Sequence, residues 1–406
     1  MLFRHPDLPG RTVRLATCMN LWPAENPAGI RAGLEAISVP LRDRLIGASG
    51  TFGVGLWLPA RALEVLDREP GERAALLDFL QAERLDVFTL NAFPFGDFHS
   101  KGLKAGVFEP DWTTPERAAF TRSAILLGRD IAQRAQWGPD RHLSVSTHTG
   151  GHTSRIADPV AFRAQVAAAL GSLERELASE VDGFPYVVGL EPEPRSLAGD
   201  TRELVDLWDA LDAAKATQNM GVCLDACHAA VEFEDAGAAQ RRALGVGRAA
   251  PRKLAKLQFS SALRLLNPAQ NPDGFRALVA LDEPVYLHQV TGRGADGLVR
   301  AGDLPEVAGD PATWQALDEL RCHFHVPVDL ASHGGLDTTS EYAGTILKGL
   351  LASPEVWGTT ELHVEIETYT WTLGGAPPDL VDGIEAEYRH VIGLLAKAGW
   401  HTKAAS

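Results

Sequence analysis

The sequence predicts a (β/α)8 barrel carrying an inserted β-rich segment between its seventh and eighth strands. Three observations lead there. Short apolar runs alternate with longer amphipathic stretches along all 406 residues, the pattern of a parallel α/β fold. Eight of those runs end in polar or ionisable residues, and a barrel of this class places its chemistry at the carboxyl ends of its strands. No repeat, low-complexity tract or linker divides the chain, so residues 1–406 read as one domain with an insertion at 264–335.

The first run, Val13 to Cys18, leads into Asn20-Leu21-Trp22-Pro23 and a helix over 28–45. The second, Phe52 to Leu58, stops at Pro59, and a helix near 72–85 precedes the third, Asp86 to Leu90. An aromatic-rich loop from Asn91 to His99 follows, then a long helix over 115–135. The fourth run, Leu143 to Ser146, ends in Thr147-His148-Thr149-Gly150. Asp158-Pro159 supplies an N-cap acid and a first-turn proline, so a helix starts there. The fifth run, Tyr186 to Leu190, ends in Glu191-Pro192-Glu193-Pro194, and a helix over 201–217 leads to the sixth, Val222 to Asp225. The seventh is Ala255 to Phe259 and the eighth Leu362 to Ile366, with a closing helix over 380–398. Between the seventh and eighth lie two more strand-like pieces, Val285 to Val290 and Cys322 to Val328, carrying His288, His323 and His325.

Composition narrows the function. A formal charge of −15 repels phosphate backbones, and no basic patch offsets it, so duplex nucleic acid is not an expected partner. Four cysteines (Cys18, Cys223, Cys227, Cys322) in so long a chain do not form a disulfide framework and read as buried hydrophobes. No apolar run approaches the ~20 residues of a membrane span, and Met1 to Gly10 lacks a signal-peptide core. A cytoplasmic enzyme acting on a small molecule is the expectation. The oligomeric state is not legible. Phosphate-loop, dinucleotide and nucleophile-elbow motifs are absent from the sequence.

The chemistry concentrates at strand ends. Asp225 and His228 can present an oxygen and a nitrogen together, which suits zinc, manganese or cobalt. Glu191, Asp225, His228 and Glu365 end three different runs, and a barrel would converge them. Such a group of carboxylates repels itself unless a divalent ion supplies the opposing charge. Glu193 and Glu367 lie two residues further along the same faces, Glu193 reading as a rim charge and Glu367 as a substrate contact or supporting acid. Gln258, inside the seventh run, needs a polar partner and could offer its amide oxygen to metal or substrate. His99, His148, Trp22 and Trp371 stand where they could contact a substrate, and packing within their loops is the plainer reading of each.

These residues together resemble the xylose-isomerase-like barrel superfamily of sugar isomerases, epimerases, dehydratases and apurinic endonucleases. The motifs that carry the resemblance are His148-Thr-Gly, Leu190-Glu191, Leu224-Asp225-Ala-Cys227-His228 and Val364-Glu365-Ile-Glu367. Within that group, Phe93-Pro94-Phe95-Gly96-Asp97-Phe98-His99, Asp111-Trp112 and the run from Glu365 to Trp371 look like the EboE-type metabolite-traffic proteins. The resemblance implies Glu191, Asp225 and Glu365 as metal ligands, and His228 as either a ligand or a substrate contact. It usually has histidine on the seventh strand, where this chain has Gln258. Either Gln258 ligates, or His288, His323 or His325 takes that place. The expected activity is isomerisation, epimerisation or dehydration of a small polyhydroxy carbonyl compound through an enediolate, with Glu191 and Glu365 as acid and base. The alternatives are a metal-dependent phosphoester hydrolase and a non-catalytic metabolite-binding protein on the same barrel.

Overall fold

The computed structural model describes residues 1–371 and 379–402. Eight strands form the barrel: β1 (Thr12–Cys18), β2 (Phe52–Trp57), β3 (Leu85–Asn91), β4 (Leu143–His148), β5 (Tyr186–Glu191), β6 (Met220–Asp225), β7 (Lys253–Phe259) and β8 (Glu361–Ile366). Each pairs in parallel with the next, and β8 pairs with β1 to close the ring. Every residue of β2, β4, β5, β6 and β8 is buried. That explains why these strands read as apolar runs rather than alternating ones, since side chains pack inside the ring and beneath the outer helices.

The helices begin where capping chemistry allows. Asp158 accepts from Val160 N and Ala161 N at the start of Pro159–Ala178, and Asp200 does the same for Thr201–Ala214. The predicted helix over 28–45 runs from Pro27 to Leu45 with a π-turn at Leu34–Ser38. The connection after β2 holds two helices, Ala60–Arg68 and Pro70–Ala82, where the sequence suggested one. Pro70 at the first turn of the second explains the break.

A second sheet lies between β7 and β8. Its strands are Ser261–Leu266, Val290–Gly294, Gly297–Ala301, Glu319–Val326, Ser332–His333 and Leu336–Thr338. It has its own core, built on Leu263, Leu265, Phe275, Val290, Trp314, Leu320 and Phe324. The expected strand over 285–290 is corrected: Val285 to Gln289 is irregular and only Val290 enters a strand. That segment bonds to the loop after β3 instead, through Gly102 N to Pro284 O (2.6 Å) and Lys104 N to Val285 O (3.0 Å).

The sheet is pinned to the barrel at Arg195, in the loop after β5. Its guanidinium reaches Ala301 O (3.1 Å), Val290 O (2.8 Å) and Glu232 Oε1 (2.6 Å). Cys227, Val231 and Ala262 pack together where the short helix Ala226–Val231 meets the sheet. No helix among the described residues is long and apolar enough to cross a membrane.

Candidate metal centre at the carboxyl ends of the barrel strands

Asp225, the last residue of β6, caps the helix that carries His228. Its Oδ1 accepts from His228 N at 2.8 Å, which leaves Oδ2 buried and unpartnered. His228 then folds back over the barrel mouth, and its Nδ1 donates to Pro192 O (2.9 Å). A carbonyl can only accept, so Nδ1 carries a proton and Nε2 is the ring atom left to face a ligand.

Two further imidazoles come from the Glu319–Val326 strand of the second sheet. Cys322 pairs with Leu263 but Val326 with Ser261, so four steps on one strand face two on the other. The resulting bulge carries His323 and His325. His325 Nδ1 donates to Glu367 O (3.0 Å), and His323 Nδ1 faces Gln289 Oε1 (2.5 Å). The Nε2 atoms of His228, His323 and His325 consequently converge, at 3.2, 3.3 and 2.9 Å from one another. Glu193 Oε2 joins them, 2.9 Å from His228 Nε2.

Beside this nitrogen-rich group lies a carboxylate group. Glu191, Asp225 and Glu367 each bring an oxygen within 4.8 Å of the others. Glu191 Oε2 and Asp225 Oδ2 are buried without a partner. Glu367 Oε1 accepts from Asn20 Nδ2 (2.7 Å) and Asn91 Nδ2 (2.9 Å).

Electrostatics follow from burial and crowding. Burial pushes the Glu191 carboxyl well above its ordinary range, and Glu367 and Asp225 push the same way. Asp225 is also raised by burial. Glu367 is raised to about 7, by burial first and by Glu365 second. Glu193 goes the other way: burial would raise it, but His228 and His323 outweigh that and hold it at about 2. Burial opposes charge on His228, yet Asp225 and Glu193 raise its basicity well above normal. Burial pushes His323 well down. The group thus keeps a proton on His228 where a cation could sit.

The residues fit a divalent ion. Three imidazole nitrogens whose other nitrogens are engaged, one carboxylate beside them and two orphaned carboxylate oxygens form a borderline-metal donor set. Four buried carboxylates, Glu191, Glu193, Asp225 and Glu367, face three imidazoles here.

The expected site residues distribute as follows. Glu191, Asp225, His228 and Glu367 come together. Glu365, expected as a ligand and as one of the acid–base pair with Glu191, is turned into the barrel interior, where it forms a fully buried ion pair with Lys256 of β7. Gln258 is also interior; its amide lies close enough to Glu367 to lower that carboxyl's pKa, but neither Nε2 nor Oε1 makes a well-formed hydrogen bond. His288 is not at the centre: Nδ1 engages His323 O (3.0 Å), Nε2 engages Glu283 (3.1 Å), and the ring stacks on Phe324.

His148 accepts from Gly150 N (3.2 Å) and packs edge-on against Phe93 and Phe108. His99 is held between Asn20 O (2.7 Å) and Tyr286 Oη (2.8 Å). Trp22 packs over Gly33 and Trp371 over Gly383, so neither faces the centre. Sequence reasoning took Glu193 for a rim charge and passed over Asn20, Asn91 and Gln289. The signal for Glu193 was its spacing of two from Glu191, which repeats the spacing of Glu365 and Glu367.

Above the centre is a narrow pocket walled by Phe93, Pro94, Phe98, Tyr286 and Tyr369, with Lys104 at its rim. It leaves about 60 Å³ for the centres of water-sized molecules, room for roughly four or five waters. Lys104 is its only lining lysine or arginine among the described residues, and it is bound by Asp282 (3.2 Å) and Asp303 (2.9 Å).

No family model and no curated protein matches the chain. Among solved structures it is similar to an L-ribulose 3-epimerase, at 13% identity over 95% of both chains with a TM-score of 0.47. It is also similar to a xylose isomerase domain protein from Alicyclobacillus acidocaldarius, at 15% identity over 95% of this chain and 99% of that one, TM-score 0.45. A third is D-psicose 3-epimerase from Clostridium cellulolyticum H10, at 11% identity over 95% and 96% of the two chains, TM-score 0.43.

Proposed function

We propose that the protein is a divalent-metal-dependent isomerase or epimerase, or a dehydratase built from the same parts, acting on a small polyhydroxy carbonyl compound. The observation that carries this reading is the pair of buried carboxyls, Glu191 and Glu367, with raised proton affinities beside a metal-ligand set at one barrel mouth. A carboxyl raised to about 7, as Glu367 is, is suited to moving a proton to and from carbon. A divalent ion bound there polarises a carbonyl and its neighbouring hydroxyl.

His228, His323, His325 and Glu193 would hold one ion, and Asp225 with Glu191 and Glu367 a second position. Glu367, not Glu365, is the partner of Glu191 in proton transfer. Asn20 and Asn91 fix one Glu367 oxygen by donating to it, which leaves Oε2 to carry the proton. The unpartnered Glu191 Oε2 is its counterpart. Phe93, Phe98, Tyr286 and Tyr369 exclude water from the reacting carbon.

The test is proton exchange. In D2O, the metal-loaded protein is expected to place deuterium on the carbon next to the carbonyl of its ketose or aldose substrate. Glu191→Gln and Glu367→Gln are each expected to slow that exchange by about 10²–10⁴-fold. A metal-loaded protein that exchanges no carbon-bound hydrogen on any of a panel of ketoses, aldoses, inososes and their phosphates would sink the reading.

A second reading, a metal-dependent phosphoester hydrolase, is favoured by the three converging imidazoles beside the carboxylates. The engagement of Lys104 by Asp282 and Asp303 weighs against it, because no free cation lines the pocket among the described residues. Release of phosphate from an aryl phosphate, with no carbon-bound exchange, would favour the hydrolase.

A further inference from the structure

Gln289 is fully buried immediately before the Val290–Gly294 strand of the second sheet. Its side-chain amide touches both halves of the candidate centre's support. Nε2 donates to Glu193 Oε1 (2.9 Å) and to Pro194 O (3.0 Å). Oε1 faces His323 Nδ1 at 2.5 Å, and the backbone carbonyl of Gln289 accepts from His323 N at 2.8 Å.

These contacts leave no freedom in the assignment. Pro194 O is a backbone carbonyl and a pure acceptor, so the end of the amide facing it and Glu193 must be the NH2 group. The other end is then the carbonyl oxygen, and His323 Nδ1 must carry the proton that it accepts. The Nε2 lone pair of His323 is thereby turned toward His228 and His325. The same NH2 group fixes Glu193 by Oε1 and leaves Oε2 facing His228.

We infer that Gln289 is a positioning residue that sets the tautomer of His323 and the orientation of Glu193 together. It joins a ligand from the inserted sheet to one from the loop after β5, so that both address the same ion. The inference rests on the metal-binding reading above, but its first consequence, the tautomer, is measurable without metal.

The experiment compares wild-type protein with Gln289→Met, which keeps the bulk and loses both polar ends, and Gln289→Glu, which keeps only the acceptor. Nitrogen-15 histidine spectra of chelator-treated protein, with the His323 signal identified by His323→Ala, report the tautomer. Cobalt titration, followed by its visible absorption, reports the site. Wild type is expected to show His323 protonated on Nδ1. Gln289→Met is expected to lose that preference and to bind cobalt about 10–100-fold more weakly. Gln289→Glu is expected to restore the tautomer while still binding cobalt more weakly than wild type, because Glu193 has lost its donor.

A Gln289→Met protein with the wild-type tautomer and affinity overturns the inference. If that variant does not fold, Gln289→Glu decides: a tautomer unlike wild type, or an affinity equal to it, overturns the proposal. A wild-type protein that binds neither cobalt nor zinc overturns the metal reading instead, and the tautomer result then stands on its own.

Discussion

Glu365 and Glu367 are two positions apart in the chain and have opposite fates. Glu365 sits where β8 still lies inside the ring, opposite Lys256, and Gly55 of β2 leaves it room because a Cβ there would collide with its carboxylate. Removing one partner of a buried ion pair leaves the other charge uncompensated, at a cost of about 3–5 kcal/mol. Glu365→Leu is therefore expected to lower stability by that amount while metal content per folded chain stays at the wild-type level. Glu367→Gln, which keeps an accepting oxygen for Asn20 and Asn91, is expected to do the reverse, lowering metal affinity by at least tenfold with a small change in the melting temperature of the metal-free protein. Denaturant melts and elemental analysis on the two variants check both. Acids at strand ends were legible in the sequence. Which of two acids on one strand face joins the candidate centre was not, because that depends on Lys256 from a neighbouring strand. His148 shows the same limit: its strand end was visible, but the Phe93 and Phe108 rings that enclose it were not.

Elements differ in how plainly they could be read. The barrel strands were legible because burial on both faces makes them continuous apolar runs, and Asp158-Pro159 announced its helix. The inserted sheet was legible only as two strand-like pieces, since its bulge and the irregular stretch from Val285 to Gln289 break the periodicity that pattern reading relies on. The segment after β8 depends on a helix far along the chain. Glu387, on the helix Leu380–Lys397, accepts from Thr368 Oγ1 (2.7 Å) and from Val328 N (3.1 Å). Burial raises its pKa to about 8. A carboxyl whose pKa is higher folded than unfolded binds its proton more tightly in the folded state. It exacts no penalty below about pH 4.3, and stability falls as pH rises from there through 8. Glu387→Gln keeps the accepting oxygen and removes the ionisation. It is expected to melt close to wild type at pH 5 and several degrees above it at pH 9, with the gap opening between those values. A gap that does not depend on pH would refute the assignment of the proton to Glu387.

At the scale of the whole molecule, the centre balances charge. Glu191, Glu193, Asp225 and Glu367 bring four buried carboxyls to one place, and two divalent ions would neutralise their charge once the carboxyls and His228 have given up their protons. Elemental analysis of protein purified without chelator is expected to find about two equivalents of transition metal, and pH-stat titration to find protons released on binding. Chelation is expected to lower the melting temperature by several degrees, in line with the ~2.7 kcal/mol that ligand at 100 times its Kd contributes. One tightly bound equivalent with no second would confine the ion to the histidine-rich half.

The bulge in the Glu319–Val326 strand carries a consequence in time. Glu191, Glu193, Asp225 and His228 precede His323 and His325 in the chain, and Glu367 comes after them all. From Glu191 to Glu367 is 367 − 191 = 176 residues, about 9–35 s of synthesis at typical rates. Until His323 and His325 are made, the first acids and His228 stand without their imidazole partners. A ribosome must finish the inserted sheet, and then return to the barrel, before the candidate ligands are all present as a set.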